Sequence, residues 1–193
     1  MGATTWEYFA PFARDIEAAL KRLRKKTFRE GKYARMIPPG ATLFKDAHGA
    51  ADIKTIEQHI RKKAGESYFQ WILRVQDALN RRLEAQSKHG KGKRPGSIEE
   101  LLSEQGQNGT HSILDIGQVS PTRKFKAVSP MPPSRLWELF GTDKPTRKMV
   151  ESKLGTMELL KDPMISEQWQ GVYFTVYHDG HPDEICFMGT SGD

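Results

Sequence analysis

The chain has 193 residues, 37% hydrophobic and 28% charged, with a single cysteine, Cys186. That length can bury a core without disulfides or structural metals. One cysteine excludes an internal disulfide and any cysteine-based zinc site, and no apolar run approaches the roughly 20 residues of a bilayer span. Net charge is +6 but lopsided: residues 1–96 hold 21 Lys and Arg against 10 Asp and Glu (+11), while residues 97–193 hold 9 against 14 (−5). Without a basic-then-apolar leader at the N-terminus, a reducing, cytoplasmic setting away from membranes is expected.

The first expected element is a helix from about Pro11 to Glu30. Ile16, Leu20, Leu23 and Thr27 recur at spacings of four, three and four and form one apolar stripe. Gly31 supplies the stop, and the aromatic cluster Trp6, Tyr8 and Phe9 is expected to pack down onto this helix. Residues 36–50 read as a loop. A second long helix is expected from about Asp52 to Ser87, its stripe running from Ile53 to Leu83, and the two helices would pair antiparallel to hide both stripes. KHGKGKRPG, residues 88–96, has four Lys or Arg, three Gly and one Pro, the composition of a linker or exposed loop.

Beyond it the character changes. Ser97 with Glu100 three residues on signals a helix start, and GQNGT (106–110) signals a turn. HSILDI (111–116) reads as a strand with Leu114 and Ile116 on one face, and KFKAV (124–128) as another. SRLWELFG is a helix that Ser134 would cap and Gly141 would end, and Pro145 would sit in the first turn of the next one. The clearest local signal is VYFTVYH–Asp179-Gly180–HPDEICFM, a β-hairpin on a two-residue type I′ turn. Counting outward from the turn places Phe174 opposite Ile185 and Val172 opposite Phe187 on one apolar face. Tyr173 opposite Cys186 and Thr175 opposite Glu184 would make the other face, with Pro182 hinting at a sheet edge.

The expected fold is therefore α+β: a basic N-terminal helical pair, then a small antiparallel sheet with packed helices and a C-terminal β-hairpin. The regions would be 1–87, basic and helical; 88–96, the linker; and 97–193, α+β, with the outer two able to pack as one domain. GTHSILDI (109–116) and GVYFTVYHDGHPDEICFMGTSGD (171–193) resemble pieces of a bacterial α+β family and carry no activity with them.

Three polar constellations compete for function. His178 and His181 are a cross-strand pair in the hairpin, and with Asp183 they are weak metal-ligand candidates; solvated side chains beside a turn are the commoner outcome. His111 and Asp115, with Ser112 between them, invite a base-and-nucleophile reading, and His178 and Glu184 complete the weak catalytic candidates. A strand would put Ser112 on the opposite face from the other two, so it cannot build a triad alone. Cys186 reads as a small semi-buried side chain.

The third is basic: Lys21, Arg22, Lys25, Lys26 and Arg29 on the first helix, and Lys91, Lys93 and Arg94 in the linker. Such a run is usually a helix's solvated face, and it also suits a polyanion. The leading expectation is an intracellular, non-catalytic interaction or regulatory protein that binds an acidic protein partner through this surface, without a cofactor. Nucleic-acid binding through phosphate contacts is the alternative, followed by an enzyme with its site between helices and sheet. A bacterial defence or immunity role fits the class of protein, although immunity proteins against basic nucleases are expected to be acidic.

Overall fold

The structure is a computed structural model that describes residues 4–33, Trp71, Arg74 and residues 95–191. The expected second helix and residues 88–94 of the linker fall outside the described residues, Trp71 and Arg74 apart. No described helix is long and apolar enough to cross a membrane.

The segment TTWEYFAP is the first strand, β1 (Thr4–Pro11); Trp6 and Tyr8 do pack in the cluster that holds the first helix, whereas Phe9 packs on the opposite face of the sheet. Its Thr and aromatic residues suit a pleated surface, and alternation sends Trp6, Tyr8 and Ala10 to one face and Glu7 and Phe9 to the other. Helix α1 consequently begins at Ile16 rather than near Pro11, and runs to Glu30. The Asp15 carboxylate accepts from the Ala18 N–H at 2.9 Å, and Gly31 ends the helix in the left-handed conformation. The stripe behaves as its spacing predicts: Leu20, Leu23 and Thr27 are buried and Ile16 is half-buried.

Helix α2 (Ile98–Gln105) opens on the expected cap, the Ser97 hydroxyl accepting from the Glu100 N–H at 3.0 Å. HSILDI is not a strand. It is a 3₁₀ turn over Ile113–Asp115, capped reciprocally by Ser112 and Asp115. With three residues per turn, Ile113 and Ile116 reach one apolar cluster while Leu114 enters another. Strands β2 (Gln118–Val119) and β3 (Ala127–Pro130) follow, so only the end of KFKAV is strand. Helix α3 (Pro133–Phe140) starts on Pro132 and Pro133 rather than on Ser134, and ends at left-handed Gly141. Thr146 caps α4 (Arg147–Lys153), leaving Pro145 just outside it. Two single-turn helices, α5 (Met157–Leu160) and α6 (Pro163–Ser166), lead into β4 (Gln170–His178) and β5 (His181–Ser191).

The class is α+β, but the five-stranded sheet is mixed rather than antiparallel, in the order β1-β5-β4-β3-β2. β5 is antiparallel to both neighbours, whereas β3 is parallel to β4 and to β2. The hairpin turn is as expected, with Asp179 and Gly180 both at positive φ and His178 opposite His181. The register slips beyond that. A bulge near Val176/Tyr177 leaves Asp183 without an opposite residue, so Phe174 faces Cys186 and Val172 faces Met188, while Tyr173 faces Phe187 and Thr175 faces Ile185. One extra residue exchanges the faces of everything beyond it. Pro182 does not mark an edge strand, because β5 lies between β1 and β4, but at Pro182 itself the β1 side is open. β1 pairing stops at Pro11 opposite Glu184, so no donor is needed on that side of Pro182.

Both faces of the sheet are covered. Trp6, Ile185 and Phe187 pack with Ala19, Leu20 and Leu23 of α1 and with Ile113 and Ile116. Val172, Phe174, Val176, Cys186 and Met188 pack with Leu136, Leu139 and Phe140 of α3, Val150 of α4 and Ile165 of α6. Gly171 and Gly189 are paired across β4 and β5 beneath the Trp6 indole, where a Cβ on either would lie 2.7 Å from the ring. The chain before residue 34 and the chain after residue 95 thus share one sheet.

Candidate functional site

Four polar groupings result. The first is the outer face of α1. Lys21, Arg22, Lys25, Lys26 and Arg29 are all exposed, and their separations of three and four residues lay them side by side on the helix. The opposite side, Ala19, Leu20, Leu23 and Thr27, is buried. Glu17 stands 3.8 Å from the Lys21 ammonium, and its carboxylate also accepts from the Val119 N–H at 2.9 Å, tying α1 to β2. The Lys32 ammonium beside Glu30 holds that carboxyl below its ordinary range, with Lys26 and Arg29 adding to the effect. Arg24 behaves differently from its basic neighbours. It is half-buried, donates to the Leu114 carbonyl at 3.0 Å, and burial lowers its pKa. Lys91, Lys93 and Arg94 lie outside the described residues.

The second grouping is the Thr110–Asp115 turn. The buried Asp115 carboxylate accepts from the Thr110 N–H at 2.8 Å, the Thr110 hydroxyl at 2.9 Å and the Ser112 N–H at 3.4 Å. The Thr110 and Ser112 hydroxyls are 2.8 Å apart. His111 Nδ1 is 2.9 Å from the Thr4 hydroxyl, pinning the turn to the start of β1. His111 and Asp115 are therefore in one turn, but the Asp115 oxygens hold together the loop that carries them.

Third is the hairpin tip. His178 and His181 are exposed on opposite sides of the turn, and His178 Nε2 is 3.5 Å from the Asp179 carboxylate. Asp183 is also exposed; its carbonyl accepts from the Phe12 N–H at 2.9 Å. Among the described residues, no group of three or more His, Cys, Asp or Glu side chains is arranged to hold a metal ion.

The fourth grouping was not visible in the sequence. Arg147, at the start of α4, donates through Nε to Glu151 at 2.8 Å and through Nη1 to Glu184 at 2.7 Å, and its guanidinium lies 4.3 Å from the centre of the Phe9 ring. Glu7 of β1 is close enough to Glu151 to feel its charge. Burial, then Glu151, pushes the Glu7 carboxyl up to about 7. Cys186 is completely buried, which together with Glu7 and Glu184 raises its thiol well above the ordinary value. It is inert as a nucleophile in that state. The alternation Trp6–Glu7–Tyr8 could have placed the Glu7 carboxylate on a covered face once the segment is read as a strand, but no sequence signal brings Arg147, Glu151 and Glu184 to it.

The four catalytic candidates thus fall in three places: His111 and Asp115 in the 3₁₀ turn, His178 at the hairpin tip, and Glu184 under α4. Comparison of the chain with protein families, with characterised proteins and with solved structures finds no match, so no relative assigns a role to any of these groupings.

Proposed function

We propose that this chain is a non-catalytic binding protein that engages an acidic macromolecular partner through the outer face of α1. The observation that carries the reading is the division of that helix: its apolar side is consumed by the sheet, and five cations stand in water on the other. Like charges crowded on one helix repel one another, so they cost the fold a little and offer a polyanion a focused field. Elsewhere Arg123, Arg135 and Arg147 each meet a carboxylate of the fold, whereas the α1 face presents five exposed cations that a polyanion can meet.

The test compares Lys21, Lys25 and Lys26 all changed to Glu with Lys144, Lys148 and Lys161 all changed to Glu. The two variants have the same net charge. Binding to a labelled polyglutamate chain is titrated across salt, with circular dichroism as the folding control. The α1 variant should lose affinity markedly and show a shallower salt dependence, while the other set should lose little. Equal losses would reduce the effect to net charge and remove α1 as the interface.

A further inference from the structure

A second surface lies in the loop before β3, independent of α1. Phe125 is 60% exposed, more than either Phe12 (40%) or Trp137 (57%). A lone exposed apolar residue is ordinary, but Phe125 is not alone. Its ring centre is 6.2 Å from that of Trp169, tilted by 49°, and the Lys126 ammonium lies 5.5 Å from the Phe125 ring and 5.2 Å from the Trp169 ring.

The backbone holding this group is unusual. Lys126 and Trp169 both adopt positive φ, 56° and 62°, a conformation L side chains enter at a cost. They are joined by the Lys126 N–H donating to the Trp169 carbonyl at 2.6 Å. Trp169 is backed by Gly109, where a Cβ would stand 2.5 Å from the indole. Arg123 is anchored by hydrogen bonds to the Pro163 carbonyl at 2.7 Å and to Glu167 at 2.5 Å, which ties the loop to α6. One indole is thus braced against the fold, while the neighbouring phenyl ring is held out in water between Lys124 and Lys126, both exposed.

We infer that this loop is a stacking site for single-stranded nucleic acid, in which a base lies on Phe125 and the flanking phosphates meet Lys124 and Lys126. Every nucleobase offers a face to an aromatic ring, and the cations follow the backbone without reading sequence. The placement of Lys126 selects this partner over an apolar one. A hydrophobic protein surface or a second copy docked on Phe125 would strip water from the ammonium and return no charge, whereas a nucleotide brings the phosphate that replaces the water. A duplex keeps its bases stacked inside and leaves the ring unused.

Fluorescence anisotropy with labelled oligo(dT), oligo(rU) and a duplex of equal length tests the site, with Trp169 emission as a second readout. Wild type should bind both single strands and quench Trp169. Phe125→Ala should bind them about tenfold to a hundredfold more weakly with duplex binding unchanged, and Phe125→Trp should retain affinity. Lys124→Gln should lower the salt slope by about one. Phe125 is exposed, so its variants should keep the wild-type melting temperature. The α1 triple variant separates this site from the proposed function, because it should weaken binding to every polyanion equally while leaving the Phe125 dependence intact. Absence of single-strand binding at low salt, or equal affinity of wild type and Phe125→Ala, would overturn the inference. So would a dimer in sedimentation that Phe125→Ala dissociates while oligonucleotide binding is unchanged.

Discussion

The two sides of the sheet handle charge in opposite ways. On the α1 side Lys21, Arg22, Lys25, Lys26 and Arg29 are exposed and point away from the core, while Arg24 turns inward to the Leu114 carbonyl. On the α4 side a single guanidinium is drawn onto the sheet and divided between Glu151 and Glu184, with Glu7 and the Cys186 thiol packed close by. The contrast is useful because charge count alone does not distinguish them. A charge that the fold has consumed reports on stability, and a charge left in water is free to report on a partner.

The contrast can be broken most forcefully at Asp115, a buried carboxylate on the α1 side. Asp115→Ala would orphan the Thr110 N–H, the Thr110 hydroxyl and the Ser112 N–H and should cost about 3 kcal/mol, measured by urea denaturation. A loss below about 1 kcal/mol would mean that solvent satisfies the turn and that the α1 side buries no charge of consequence. On the other side, Arg147→Met should cost about 2 kcal/mol by the same measurement. It leaves Glu184 half-buried without its cation, though Arg147 itself is half in water and the pair is partly screened.

Glu7→Gln sharpens the comparison through pH. The folded carboxyl titrates at about 7, against an ordinary value of 4.5, so between those limits the folded chain holds a proton that the unfolded chain releases. Stability from this group accordingly falls as pH rises from about 4.5 to 7, and the penalty is complete above 7. The Gln variant should be more stable than wild type by about 1.5 kcal/mol at pH 8, a figure reduced for partial exposure, and indistinguishable from it below pH 4.5. Thermal melts at the two pH values check this, and a pH-independent difference would place Glu7 outside the titrating cluster. The smallest effect on stability is expected from the Lys21, Lys25 and Lys26 reversal, within about 0.5 kcal/mol of wild type, because these side chains are exposed and the Lys21–Glu17 pair lies at the surface. A large loss there would collapse the distinction between the two sides.

The legibility of these features tracks the reach of the interaction behind each. Gly31, Gly141, Ser97 and the Asp179-Gly180 turn were readable because a cap or a tight turn is decided within a few residues. The α1 stripe was readable because its period is internal to the helix. β1 was not: TTWEYFAP acquires its ladder from residues 184–191 at the far end of the chain, and an aromatic cluster beside a helix signal looks the same with or without that partner. HSILDI misled because alternation over a few residues cannot separate a half-buried strand from a 3₁₀ turn that is buried on every side. The α1 cations and the hairpin histidines were visible as types and spacings. The convergence of Glu7, Arg147, Glu151 and Glu184 was invisible, because no local spacing relates residues on β1, α4 and β5.

By itself, the sequence determined the Ser97 cap, the glycine stops at Gly31 and Gly141, the hairpin turn, the two-sided character of α1 and the step in charge near residue 96. All of these follow from short-range sterics, hydrogen bonding and composition. Only the tertiary structure decided that the N-terminal segment is a strand beside the C-terminal one, that the sheet is mixed, and that one bulged residue sends Ile185 and Phe187 to the α1 side and Cys186 and Met188 to the other. The physical reason is that strand pairing is a contract between distant segments. Its register depends on which edges are free and on where one residue is left over, and neither is written within a few residues of the strand itself.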